Sequence, residues 1–205
     1  MTHQIKSTTL TSGVTVEYVA NGASGGTPLL LLHGLSDSWH SFLPLLPHLP
    51  SNLRAMAFSQ RGHGQSSKPR GDYRLETLAA DALAFLDAMH VDRAVVAGHS
   101  MGAAIGTLLA AYYPDRVAGL ALLGAFAEFR SNPCVIELRQ DVQTLSDPID
   151  SDFARAFQIS TIARMIDDEF IDLVVSEGGR NFRLNAVAWL ILGQAGLRHC
   201  LFLSG

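Results

Sequence analysis

A chain of 205 residues, 48% hydrophobic, with a formal net charge of −4 at pH 7, is long enough for one sizeable domain around a buried core. Its near-neutral charge and lack of basic clusters exclude nucleic acid as an expected partner. Its 2 cysteines, Cys134 and Cys200, make no disulfide framework, so the expectation is a cytoplasmic protein with reduced thiols.

The polar start, residues 1–10, has no apolar leader core. The longest apolar-rich stretch, residues 186–192, is too short to cross a bilayer, so no membrane partner is expected. Residues 4–10 and 14–19 alternate and are β-branched around Ser12-Gly13, which predicts an antiparallel hairpin at a sheet edge. Residues 28–32, Pro-Leu-Leu-Leu-Leu, form a continuous apolar run, the mark of a parallel strand buried on both faces. It runs into His33-Gly34-Leu35-Ser36-Asp37-Ser38, a short helix is expected over 39–46, and Leu49-Pro50 closes it.

A strand over 53–58 leads into the polar loop Ser59-Gln60-Arg61-Gly62-His63-Gly64-Gln65-Ser66. Apolar residues at Leu75, Leu78, Ala82, Phe85, Leu86 and Met89 give a helix over 73–90 one buried stripe. A strand over 93–97, a helix over 103–113 ended by Pro114, and a strand over 117–123 follow. The alternation predicts an α/β fold, a mostly parallel, doubly wound sheet with helices on both faces.

Between the fifth strand and its helix stands Gly98-His99-Ser100-Met101-Gly102. In a strand–turn–helix context the two glycines leave room where a Cβ would meet neighbouring chain, and Ser100 is held up at the strand's carboxyl end. The Met101 N–H points outward there, with the positive end of the helix behind it. From Ala125 the charge rises, and helices are expected over 135–145, 151–165 and 167–175, read as an inserted helical lid. Phe126, Phe129, Phe153, Phe157, Met165 and Trp189 are its apolar residues, placed either to line a pocket or to pack the lid onto the sheet. The organisation is a core over 1–124, a lid over 125–178 and an atypical tail over 179–205.

Four pieces in order, His33-Gly34, Arg61-Gly62-His63-Gly64-x-Ser66, the Ser100 turn and the strand 117–123 before a helical insertion, resemble the α/β-hydrolase superfamily. The likeness is greatest to its lid-bearing branch of carboxylesterases, carbon–carbon bond hydrolases and cofactor-free haloperoxidases. The resemblance implies that Ser100 is a nucleophile forming an acyl-enzyme on a small ester or other acyl substrate. It implies an oxyanion hole from the Leu35 and Met101 N–H groups, with His33, Gly34, Gly98 and Gly102 supporting the site. A serine at position 100 argues against the epoxide hydrolase and haloalkane dehalogenase branches, which use a carboxylate. The family usually has Asp where this chain has Gln60. Structural hydrogen bonding is the expectation for His33 and His63, and the His99 side chain is expected to point away from the Ser100 hydroxyl.

The family's acid and base come late, in the order Ser, Asp, His. Here the only histidine beyond His99 is His199, in an apolar run, and Glu128 is the nearest acid after the strand 117–123. The last core strand or strands are therefore expected to be missing, with residues 179–205 read either as the start of a truncated core strand or as a stretch that has left the family pattern. The strand 117–123 would then expose a flank through which copies of the chain could associate. Three readings stay open: an ester- or acyl-cleaving serine hydrolase, an inactive hydrolase-like small-molecule binding module or truncated relic, and a helical-lidded Rossmann-like protein. No metal-ligand spacing and no phosphate-cradling glycine motif occurs, so no cofactor and no metal are expected.

Overall fold

The structure, a computed structural model, describes residues 3–125, 132–142 and 150–178. Strands β1 (Lys6–Thr9), β2 (Thr15–Asn21), β3 (Thr27–Leu32), β4 (Leu53–Phe58), β5 (Ala94–His99) and β6 (Val117–Leu123) form one six-stranded sheet, in the order β1-β2-β4-β3-β5-β6. The β1–β2 hairpin is antiparallel and lies at the edge, with β2 antiparallel to β4; the pairs β3–β4, β3–β5 and β5–β6 are parallel.

Alternation along the strands sorts the core into two layers. Leu30, Leu32, Met56, Phe58 and Val96 face α1 (Leu75–Ala88) and α2 (Met101–Tyr112), which bury Leu78, Phe85, Ile105 and Leu109 against them. Leu29, Leu31, Ala55 and Ala57 face the other way, onto Trp39, Phe42 and Leu46.

That second layer differs from expectation. Residues 39–46 do not form one α-helix; two short 3-10 turns, Trp39–Phe42 and Leu46–His48, take their place. Pro44 and Pro47 cannot donate to a carbonyl four residues back, so the segment closes on three-residue bonds such as Leu43 N–H to His40 O (2.9 Å) and His48 N–H to Leu45 O (2.9 Å).

Helices α3 (Pro133–Val142), α4 (Ser151–Ser160) and α5 (Asp168–Gly178) follow the sheet. Asp150 caps α4, accepting from the N–H groups of Asp152 (2.8 Å) and Phe153 (3.2 Å). The spacing predicted that this helix would reach Met165, but it stops at Ser160. Thr161 N–H and Ile162 N–H bond back only three residues, and the Thr161 hydroxyl donates to Gln158 O at 2.8 Å, which closes the last turn. Met165, expected either to line a pocket or to pack the lid onto the sheet, is instead fully exposed. Phe153 packs against the larger core cluster. At the far edge of the sheet β6 presents Leu120, Leu122 and Leu123 at 38%, 44% and 53% exposure. Among the described residues only β5 pairs with it.

Candidate active site

The chain runs from β3 to β4 on one side and then to β5 on the other, so the strand order reverses beside β3. A crevice opens where carboxyl ends of parallel strands diverge in this way. Leu32 pairs with Gly98 across β3 and β5, which brings the segment after β3, starting at His33, beside the turn that carries Ser100.

Ser100 has φ 51° and ψ −112°, outside the regions an L-residue prefers, at a cost of about 1–3 kcal/mol. Tight packing holds it there. A Cβ on Gly98 would lie 2.2 Å from the Gly102 carbonyl oxygen, and one on Gly102 would lie 2.1 Å from that of Leu32. The Ser100 N–H donates to Leu123 O at 2.9 Å, tying the turn to the end of β6, and α2 starts at Met101. The steric reason read from the sequence for this glycine spacing is thus present atom by atom.

His33 is fully buried. Its Nε2 accepts from the Gln60 N–H at 2.9 Å, so the proton sits on Nδ1, which donates to Gly34 O at 2.8 Å. The Gln60 side chain donates to His33 O at 3.0 Å. Both ring nitrogens are therefore spent on backbone, and His33 braces the loop. His63 is equally buried, with Nδ1 2.9 Å from Arg61 O and its ring edge-on to His33 at 4.9 Å. The loop between them is anchored by a bidentate buried pair: Arg61 donates from Nε (2.5 Å) and Nη2 (2.7 Å) to Asp81 on α1.

Burial, then the neighbouring His63, hold the pKa of His33 well below its ordinary value, and burial lowers His63 to about 4. Both stay neutral in the folded chain, while the unfolded chain binds protons below about 6.5. Stability is therefore full above about pH 6.5 and is lost as the pH falls from there through 4. Urea midpoints across that window should fall with pH in the wild type and fall less in His63→Gln. An equal decline in both would refute the assignment.

Beside the turn lies a cavity of about 230 Å³. Its polar end is made by His33, Asp37, Ser41, His99 and Gln158; its walls include Phe42 and the Ile162–Val174 stretch. Gln158 on α4 donates from Nε2 to Ser36 O (3.2 Å), Ser36 Oγ (3.0 Å) and Asp37 Oδ1 (3.2 Å), joining the helical segment to the loop after β3. Burial raises the pKa of Asp37, against the opposing effects of Ser41, His99 and Gln158. The sequence singled out neither Asp37 nor Gln158. They are 121 residues apart, and nothing local marks either one.

Leu35 is half-buried against the core and Met101 is buried at the first position of α2. Among the described residues no histidine is hydrogen-bonded to the Ser100 hydroxyl. Glu128 and His199, the acid and base named from sequence, lie outside the described residues, as do Phe126, Phe129 and Trp189.

A protein-family model described as the alpha/beta hydrolase fold matches residues 27–173. The chain belongs to the α/β-hydrolase family. Its relatives span several chemistries. It is 41% identical over 106 residues to the dihydrolipoyllysine-residue acetyltransferase component of the acetoin cleaving system of Pseudomonas putida, covering 51% of this chain and 28% of that protein. It is 39% identical over 109 residues to a haloalkane dehalogenase of Mesorhizobium japonicum, covering 53% and 35%. The chain thus spans about a third or less of the length of these curated relatives.

Among solved structures, a hydrolase from Pseudomonas aeruginosa superposes with a TM-score of 0.71 at 27% identity, covering 89% of this α/β-hydrolase chain and 72% of that one. An enol-lactonase from Burkholderia xenovorans has a TM-score of 0.71 at 21% identity, with 89% and 71% covered, and bears on the fold alone.

Proposed function

We propose that this α/β-hydrolase chain is a serine hydrolase that cleaves a small ester or other acyl substrate through an acyl-enzyme at Ser100. The observation that carries the reading is the Ser100 turn itself. A strained serine sits at φ 51°, with packed backbone on both sides and a helix starting at the next residue. Strain of this kind persists only where surrounding structure enforces it, and in this reading it serves to present the hydroxyl to substrate. In this reading the N–H groups of Met101 and Leu35 receive the developing oxyanion. Losing one such donor costs about 3 kcal/mol of transition-state stabilisation. His33, Gly34, Gly98 and Gly102 hold those amides in place, and α3–α5 act as the lid. A serine opens a carbonyl to give an acyl-enzyme, whereas the resemblance implies a carboxylate at the same place for opening an epoxide or displacing a halide. The cytoplasmic setting inferred from the two cysteines belongs to the same proposal.

A second reading, an inactive hydrolase-like module that binds a small molecule, is favoured by one observation: His33 has both nitrogens committed to backbone and cannot serve as base. A fluorophosphonate probe decides between the two. Rapid labelling of the wild type that disappears in Ser100→Ala is the expected result. Folded wild-type chain that does not label would overturn the hydrolase reading in favour of the binding module.

A further inference from the structure

Among the described residues two aspartates are buried beside the core, and their surroundings differ. Asp81 is 2% exposed and receives the Arg61 guanidinium in bidentate fashion. Asp37 is 7% exposed, and among the described residues no lysine or arginine pairs with it. Its Oδ1 accepts a long bond, 3.2 Å, from the Gln158 amide, and Ser41, His99 and the Gly34 backbone also favour its charged form. A Cβ built on Gly34 would lie 3.4 Å from the Asp37 Oδ2 and 3.0 Å from His99 Nδ1, which puts the imidazole and the carboxyl group against the same glycine. Taking a carboxylate out of water without a cation is costly, and the group either takes up a proton or finds a positive partner.

Asp37 is also not sealed in. It forms the polar end of the 230 Å³ cavity whose walls are Phe42, Ile162, Phe170, Ile171 and Val174. An apolar cavity of about 150 Å³ is enough for benzene, so this one takes a molecule of several carbon atoms. An aliphatic tail suits the walls, and a positive hydrogen-bond donor suits the end.

We propose that the cavity between α4–α5 and the loop after β3 binds a small aliphatic primary amine, its alkyl chain against Phe170 and Val174 and its ammonium group on the Asp37 carboxylate. The cavity lies beside the Ser100 turn, with His99 in its lining, but amine binding on Asp37 does not need Ser100 to be a nucleophile. The titratable groups that face Asp37 are His33 and His99, at the ends of β3 and β5; α4 and α5 contribute uncharged cavity-lining residues.

The test is binding of n-pentylammonium and of n-pentanol to the full 205-residue chain, followed by calorimetry or by amide shifts. The wild type should prefer the ammonium by about tenfold or more, the scale of one charge-assisted hydrogen bond. Asp37→Asn, which keeps the shape, should remove that preference and leave pentanol binding as it was. Val174→Phe, which fills the cavity while leaving Asp37 in place, should abolish binding of both. Equal affinity of the wild type for the two probes, absence of binding to the wild type, an ammonium preference that survives Asp37→Asn, or binding of either probe that survives Val174→Phe would overturn the proposal. Should Asp37→Asn fail to fold, the wild-type preference and the Val174→Phe result still decide it. The Ser100→Ala chain should bind n-pentylammonium as the wild type does, so a failure of the hydrolase reading leaves this result untouched.

Discussion

Gly102→Ala should lower the melting temperature by roughly 6–12 °C, the equivalent of about 3 kcal/mol in a domain of this size. The added Cβ would meet Leu32 O at 2.1 Å, Leu32 C at 2.6 Å and His33 O at 2.9 Å. All three are backbone atoms of β3 and the residue after it, so no side chain can swing aside. Either α2 lifts away from the sheet or β3 is pushed out of register with β5, and both responses open the larger core cluster at Met101 and Ile105. The control is Gly25→Ala, where nothing lies within 4 Å of the new Cβ and the melting temperature should hold. Thermal melts of the two variants side by side make the comparison, and equal melting temperatures would refute the claim that this contact holds the turn. The same displacement should also abolish probe labelling at Ser100, because the turn cannot keep its geometry once α2 has moved.

Arg61→Ala should cost about 3–5 kcal/mol, the range for removing one member of a buried ion pair. The Arg61 and Asp81 side chains are 9% and 3% exposed, and the guanidinium also donates to Asp72 O at 3.1 Å. Without it the Asp81 carboxylate keeps, among the described residues, the Ser12 hydroxyl as donor, at 3.0 Å. The energy comes from stranding a charge, since two desolvated charges that meet recover little beyond their own desolvation. Replacing both partners, Arg61→Met with Asp81→Leu, should therefore be less damaging than Arg61→Met alone. Urea unfolding of Arg61→Met, of Asp81→Leu and of the double variant measures the difference. A double variant as unstable as the sum of its singles would refute the stranded-charge account.

Much of this fold was legible because its signals are local. The run at 28–32, the alternation at 14–19 and the stripe on α1 each report burial within a few residues, and each became the element it predicted. The Gly98-x-Ser100-x-Gly102 spacing was legible for the same reason, since both steric conflicts involve chain close in sequence or on the neighbouring strand. The expectations that needed adjustment lie where local signals compete. Residues 39–46 have helical spacing, but two prolines deny the backbone its four-residue bonds. Residues 151–165 have helical spacing, but Thr161 turns its hydroxyl back on Gln158 O and closes the helix early. Asp37 and Gln158 could not be read at all, because their meaning arises only when residues 121 apart are brought to 3.2 Å.

That last contact also dates itself within the folding reaction. Everything that shapes the Ser100 turn comes from β3, β5, α2 and β6, a contiguous span from Thr27 to Leu123. The Gln158 amide, by contrast, reaches back 122 residues to Ser36. Closing so long a loop adds only a logarithmic entropy penalty, but it makes the contact slow to find. A chain emerging from the ribosome exposes residues 27–123 before α4 exists, so the loop after β3 is made before its Gln158 partner.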